Sequence, residues 1–457
     1  MAEHETVIRN AAIVTTDAVI RGDLAISEGA FTVVGGAVNG STVHEIDATG
    51  LVAFPGCVDS HVHFNQPGRT DWEGFASGSL ALAAGGATTF VDMPLNSDPP
   101  LLTGQDFDNK LAAATGKCRI DFGFWGGLVE GSQRTMSELA ERGVIGFKGF
   151  MCDSGIPEFP RVDDHTLYEG MKIAADLGLP ILLHAENEEI TRELTRVARE
   201  EGRIHEMRDF LATRPIIAEV EAIQRAILFA NDTGCTLHIV HVSSAQGARA
   251  VLDAQSHGVD VSLETCPQYL LLDEEDLERL GAHAKAGPPP RGGADQTTLW
   301  EMVLDGRIPM VVSDHSPASP DLKAGRPLLD CWGGISGCQS TLQLMLEYGH
   351  SRRAMPLDAI GRALSGNVAE RFCLPEKGRI EVGYDADLAL VDATHVAPLS
   401  LETLHYRHQQ SAYLGMPHRG RIARTILRGQ TAIADETGTS GSPGGQLIRP
   451  RGRHLSG

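Results

Sequence analysis

Short apolar, β-branched runs recur through the middle of the 457-residue chain, separated by loops or by stretches with helical spacing. They are "LVAFPGCVDSHVHF" (51–64), "GATTFVDM" (86–93), "IDFGFWGGL" (120–128), "VIGFKGF" (144–150), "LPILLHAE" (179–186), "TLHIVHVS" (236–243), "VDVSLETC" (259–266) and "IPMVVSDHS" (308–316). Between them 164–177, 218–231 and 245–257 read as helices. Eight strand signals alternating with helices predict an α/β chain whose parallel sheet closes as a (β/α)8 TIM-type barrel. An open doubly wound sheet is the alternative, but no glycine fingerprint or phosphate-binding loop follows any strand. The two ends have a different texture, with short alternating strands and Gly-rich turns in 1–52 and again in 376–440. Both ends are expected to build one small β-sandwich domain (1–52 and 376–457) flanking a catalytic barrel over 53–375. The stretch 436–457, rich in Gly, Ser, Pro and Arg, reads as a loose or docked tail.

Composition narrows the partners. A net charge of −21, from 39 Lys+Arg against 60 Asp+Glu, disfavours nucleic acid and anionic membranes. No run of eighteen apolar residues predicts a membrane span, and the N-terminus lacks a secretory pattern. The 8 cysteines include no C-x-x-C pair and read as reduced thiols of a cytoplasmic protein.

The chemistry sits where barrels carry it, at the C-terminal ends of the strands. His61 and His63 close the first run, and strand alternation turns i and i+2 to the same side. Lys148 lies in the fourth, His184 ends the fifth, His241 the sixth and Asp314 the eighth. Each has a bland reading alone: a core histidine, a helix-capping aspartate, a lysine paired from elsewhere. Alternation puts His241 on a face with Leu237 and Ile239, and turns His238 outward. His315 points elsewhere, and Glu186 is either a carboxylate that orients a ligand or a solvated loop residue. Six such groups placed by one geometric rule point to a two-metal hydrolytic site. His61, His63 and Asp314 would hold one ion and His184 and His241 the other. Lys148, once it has reacted with carbon dioxide to an N6-carboxylysine, would bridge them. Two cations roughly 3.5–4 Å apart activate a shared hydroxide and polarise a carbonyl. Asp314 fits as general base for that water and as acid toward the leaving nitrogen. Imidazole, carboxylate and carbamate accept zinc, the leading expectation, and also manganese, cobalt or iron.

At these residues the chain resembles the cyclic amidohydrolases of the amidohydrolase superfamily, from "GLVAFPGCVDSHVHF" to "KGRIEVGYDADLALVD". The segments "PGRTDWEGFASG", "DMPLNSDPP", "GFKGFMCDSGIPEF", "RPIIAEVEAI", "VVSDHSPASPDLKAG", "CWGGISGCQS" and "YRHQQSAYLG" look closest to its allantoinase branch. The resemblance implies a distorted barrel with a β-sandwich from both termini, and the same six metal positions. It also implies hydrolysis of the cyclic amide of allantoin to allantoate, in purine degradation, by a homo-oligomer (dimer or tetramer). A hydantoinase or dihydropyrimidinase is the rival enzyme, and a non-catalytic scaffold of dihydropyrimidinase type the remote alternative. In similar dihydroorotases an arginine stands two residues beyond the second histidine, where this chain has Asn65. Asn65, Asn96 and Ser316 are therefore expected to bind a neutral ureide.

Overall fold

The computed structural model describes residues 4–434 and 442–451; the expected tail at 436–441 and 452–457 lies outside them. Strands β1 (His4–Val14), β2 (Val19–Ser27), β3 (Ala30–Val34), β4 (Thr42–Asp47) and β5 (Val52–Pro55) come from the N-terminal end. Then follow β6 (Cys57–Val62), β7 (Ala87–Asp92), β8 (Asp121–Phe124), β9 (Gly126–Gly127), β10 (Phe147–Phe150), β11 (Ile181–His184), β12 (Leu237–Ile239) and β13 (Val261–Leu263). The C-terminal end adds β14 (Leu388–Pro398), β15 (Pro417–Leu427) and β16 (Gln430–Ala434).

Both ends share one sheet, ordered β16-β15-β14-β5-β1-β2-β3, with β4 also on β1. The first half of β1 pairs β4 and the second half β5, with Asn10 in a left-handed conformation between them. Ile8, Ile13, Leu24, Ile26, Phe31, Leu388, Leu390 and Ile426 fill the core this sheet wraps.

The middle strands pair in parallel as β6-β7-β8 and as β9-β10-β11-β12-β13. β8 and β9 are two halves of one barrel strand, separated by the buried Trp125. The eighth run forms no ladder of its own. It closes the barrel through single bridges, Thr265 to Val311 on one side and Val62 to His315 on the other. The distorted (β/α)8 barrel expected from the pattern is thus present, its last strand reduced to these contacts. Helices Asp164–Leu177, Ile216–Thr233 and Ala245–Ser256 cover it close to where the spacing put them. Asp163 and Ser244 start two of them by accepting backbone N–H bonds.

The run 51–64 is not one strand. It changes sheet at Gly56, where a Cβ would collide with the Thr88 side chain at 2.1 Å. Only glycine lets β5 end on one sheet and β6 begin on the other so close to β7. Lys377 ties the two sheets together, its Nζ 2.6 Å from Asp121 on β8 and 2.8 Å from Asp387 beside β14.

Candidate active site

Five of the six groups expected at the strand ends meet at the floor of one cavity of about 790 Å3, which His61, His63, His184, His241 and Asp314 line. The sixth, Lys148, is completely buried beneath them. His61 Nε2 lies 3.2 Å from Asp314 Oδ1 and His63 Nε2 lies 3.7 Å from it. The rings continue the cluster: His61 and His241 centroids are 5.3 Å apart, His241 and His184 4.7 Å. Ligand atoms of His61, His241 and Asp314 all fall within 4.8 Å of one another. Lys148 Nζ has no hydrogen-bond partner and sits 5.0 Å from the Phe150 ring centroid. Burial pushes its ammonium down to about 7.

Backbone conformation brings two of these groups in. His241 (φ 41°) and Asp314 (φ 45°) both occupy the left-handed region, as do Asn65 (φ 63°) and Asn96 (φ 67°). Non-glycine residues rarely adopt it, and such strain concentrates at functional sites.

The imidazoles are held so that one nitrogen of each stays available. His61 Nδ1 is 2.6 Å from Glu264 Oε1, leaving Nε2 toward Asp314. His184 Nε2 is 2.7 Å from Glu186 Oε2, leaving Nδ1. His63 Nδ1 is 3.3 Å from the Asn96 amide, leaving Nε2. Burial lowers His184 to about 4 and holds His63 and His241 well below the usual imidazole range, so these rings are neutral at pH 7. Burial raises the Asp314 carboxyl. Burial also works against the Glu186 carboxylate, yet Arg214 at 2.7 Å and His184 bring it to about 2. Neutral imidazoles and a carboxylate form a donor set suited to divalent cations. The buried His241 Nδ1 and Lys148 Nζ, both without a partner, fit the same reading.

Sequence reasoning missed Glu264 and misplaced His238. Glu264 is fully buried and accepts from His61 on one oxygen and from His238 Nε2, at 3.1 Å, on the other. His238 in turn meets Ser262 Oγ at 2.7 Å through Nδ1. His238 therefore faces inward, in register with Lys148 through Leu182. The alternation argument failed because β12 ends at Ile239 and the left-handed turn at His241 swaps the side on which that ring emerges. Glu264 could have been found as Asp314 was, as a carboxylate closing an apolar strand. Glu186 is fully buried rather than a solvated loop carboxylate. His315 is buried, accepting from Gly337 N and approaching Glu73 at 3.5 Å.

Of the three residues expected to contact substrate, Asn96 and Ser316 line the cavity. Asn65 does not; it is fully buried and donates to the Pro317 carbonyl at 3.2 Å. Its amide is short and held against the loop after the eighth run, so the expected contact is corrected to a turn-holding role.

A profile of the amidohydrolase family matches residues 52–432. The chain belongs to the amidohydrolase family. It is 52% identical over 444 residues to an allantoinase of Rubrobacter xylanophilus, covering 96% of this chain and 97% of that one. It is 50% identical to an allantoinase of Solibacter usitatus, covering 98% and 97%. Among solved structures it resembles an L-hydantoinase (dihydropyrimidinase) of Arthrobacter aurescens, with TM-score 0.94 and 30% identity over 98% of this chain and 100% of that one. Membership of this family accounts for the barrel and for a donor set of metal-binding type at its strand ends. No helix among the described residues of this amidohydrolase is long and apolar enough to cross a membrane.

Proposed function

We propose that this amidohydrolase opens the hydantoin ring of allantoin by hydrolysing its cyclic amide, giving allantoate. The observation that carries the choice of substrate is the full-length likeness to allantoinases, at 52% and 50% identity, against 30% to the hydantoinase. His61, His63 and Asp314 would hold one divalent ion and His184 and His241 a second, with Lys148 as a carbamate between them. A carbon dioxide molecule reacts with a neutral amine, and a buried lysine at about 7 offers one near neutral pH. Zinc is the leading candidate, with manganese, cobalt and iron as alternatives. Such ions polarise a carbonyl and acidify water.

The chain's own residues do the rest. Asp314, buried and raised above the usual carboxyl range, accepts the proton of the attacking water and passes it to the departing ring nitrogen. Glu264 and Glu186 keep His61 and His184 in the tautomers that leave a lone pair free. Asn96 and Ser316, on the cavity wall, bind the neutral ureide through hydrogen bonds. The product gains a carboxylate at the former ring carbonyl and a terminal ureide nitrogen.

The same proposal includes a catalytic barrel over 53–375 and a β domain from 1–52 and 376–457, supported by the sheet shared between the termini, with the change of sheet at Gly56 carrying the β domain on through β5 to Pro55. A cytoplasmic homo-oligomer, dimer or tetramer, completes it, in keeping with eight cysteines that show no C-x-x-C pair. The test is direct. Purified protein, stripped of metal and reloaded in turn with zinc, manganese, cobalt or iron, should convert allantoin to allantoate with at least one of them. No turnover with any of the four would overturn the proposal.

A further inference from the structure

Arg69 lies outside the cavity wall, in the loop after β6, and reaches two other loops as well as packing on its own. Its Nη1 donates to the backbone carbonyl of Asn96 at 3.2 Å. Its Nη2 is 3.4 Å from Glu158 Oε2, in the segment 153–161 that lines one side of the cavity. Its guanidinium carbon is 5.5 Å from the ring centroid of Trp72, which stands edge-on to the cavity residue Trp332 at 4.8 Å.

The bond to Asn96 matters most. Asn96 is left-handed, a conformation that needs outside support, and its amide reaches His63 Nδ1. With His63 Nε2 kept for a cation, Nδ1 carries the proton and needs an acceptor. The amide nitrogen faces that ring nitrogen, while Asn96 Oδ1 is buried without a partner. Amide oxygen and nitrogen are interchangeable assignments. Exchanging them gives Oδ1 the His63 proton, so that the amide serves as the acceptor His63 needs, while Asn96 as a residue lines the cavity.

We infer that Arg69 is a positioning residue: it holds Asn96 in the conformation that orients both His63 and the substrate, and ties the 153–161 segment to the same point. One guanidinium thereby links that segment, a substrate contact and a metal ligand. Two of its nitrogens are engaged at once, on Asn96 and on Glu158, in a planar fork that a lysine lacks. The inference rests on the amidohydrolase reading of the site.

Three variants test it, with metal affinity measured by chelator competition beside steady-state rates on allantoin. Arg69→Ala should raise KM about tenfold, the loss of a charge-assisted hydrogen bond, and weaken metal binding about threefold. Arg69→Lys should recover only part of either. Glu158→Gln should raise KM about twofold to threefold with metal affinity as in wild type, because it frees only the 153–161 segment. A merely structural Arg69 would lower the melting temperature and leave KM and metal affinity in place. Arg69→Ala with both quantities within twofold of wild type overturns the inference. Should that variant not fold, Arg69→Lys indistinguishable from wild type overturns it instead. If wild type leaves allantoin untouched, the functional proposal fails, while the metal-affinity measurement still decides the role of Arg69.

Discussion

Replacing Glu264 with glutamine keeps the shape of the side chain and removes its charge. The wild-type carboxylate takes an N–H from His61 at 2.6 Å and another from His238 at 3.1 Å. The His61 bond is what keeps the proton on Nδ1 and leaves Nε2 free for a cation. A hydrogen bond to a charged group contributes about 1.5–3 kcal/mol and a neutral one about 0.5–1.5 kcal/mol. Glutamine can still point its oxygen at His61. Its amide nitrogen then meets His238, which can move its own proton to Nδ1 and donate to Ser262 Oγ, 2.7 Å away. The cost is therefore the charge alone, about 1.4 kcal/mol, or tenfold in metal affinity. Glu264→Ala leaves the His61 N–H without an acceptor in a buried site, at about 1–3 kcal/mol on top of the lost charge, so a loss of about a hundredfold is expected. Chelator competition at fixed pH measures both, with melting curves of the metal-free proteins as control for folding. Metal affinities within twofold of wild type in both variants would refute the reasoning.

Other outcomes follow from the same geometry. Lys148→Ala should lose most bound metal and activity, and short carboxylic acids should partly restore turnover by filling the space; full metal content and a normal rate would exclude the carbamate. Asp314→Asn should cut turnover about a hundredfold or more while keeping much of the metal, since an amide offers an oxygen but accepts no proton; a rate within about tenfold of wild type removes it as the base. Reloading of the metal-free protein at constant carbon dioxide pressure should also depend on pH. Lys148 has a lowered value of about 7, so its reactive neutral form grows as pH rises through 7 rather than near the ordinary lysine value of 10.5. Carbon-dioxide-dependent metal uptake should therefore climb between about pH 6 and 8, and a climb only above pH 9 would contradict the burial argument.

How much was legible depended on whether a residue sits inside a regular strand. His61 and His184 lie at the ends of β6 and β11, and Lys148 lies inside β10, so the strand-end rule picked out residues that the structure brings together. His241 joins the cluster, but the argument that chose it over His238 does not hold, because a left-handed residue after β12 breaks the alternation and His238 faces inward. Asp314 was found as a carboxylate closing an apolar run, although that run forms only bridges. Glu264 went unread although it closes an apolar run as Asp314 does, because its partner His61 lies across the barrel and only three-dimensional proximity joins them. Asn65 was assigned from its distance along the chain to His63, whereas the left-handed turn at Asn65 points its amide to Pro317. The division of 51–64 between two sheets hinged on Gly56, whose role is visible only once Thr88 packs against it.

The most direct test of the central claim is the catalytic efficiency of one metal-analysed sample on four rings: allantoin, hydantoin, dihydrouracil and dihydroorotate. The cavity offers Asn96 and Ser316 to a neutral ureide, and Asn65 supplies no charge where similar dihydroorotases carry an arginine. Allantoin should be the best substrate, with dihydroorotate at least about a hundredfold poorer, a gap of roughly 2.7 kcal/mol. Comparable efficiency on dihydroorotate, or a preference for hydantoin or dihydrouracil without the ureido arm, would contradict the assignment to allantoin.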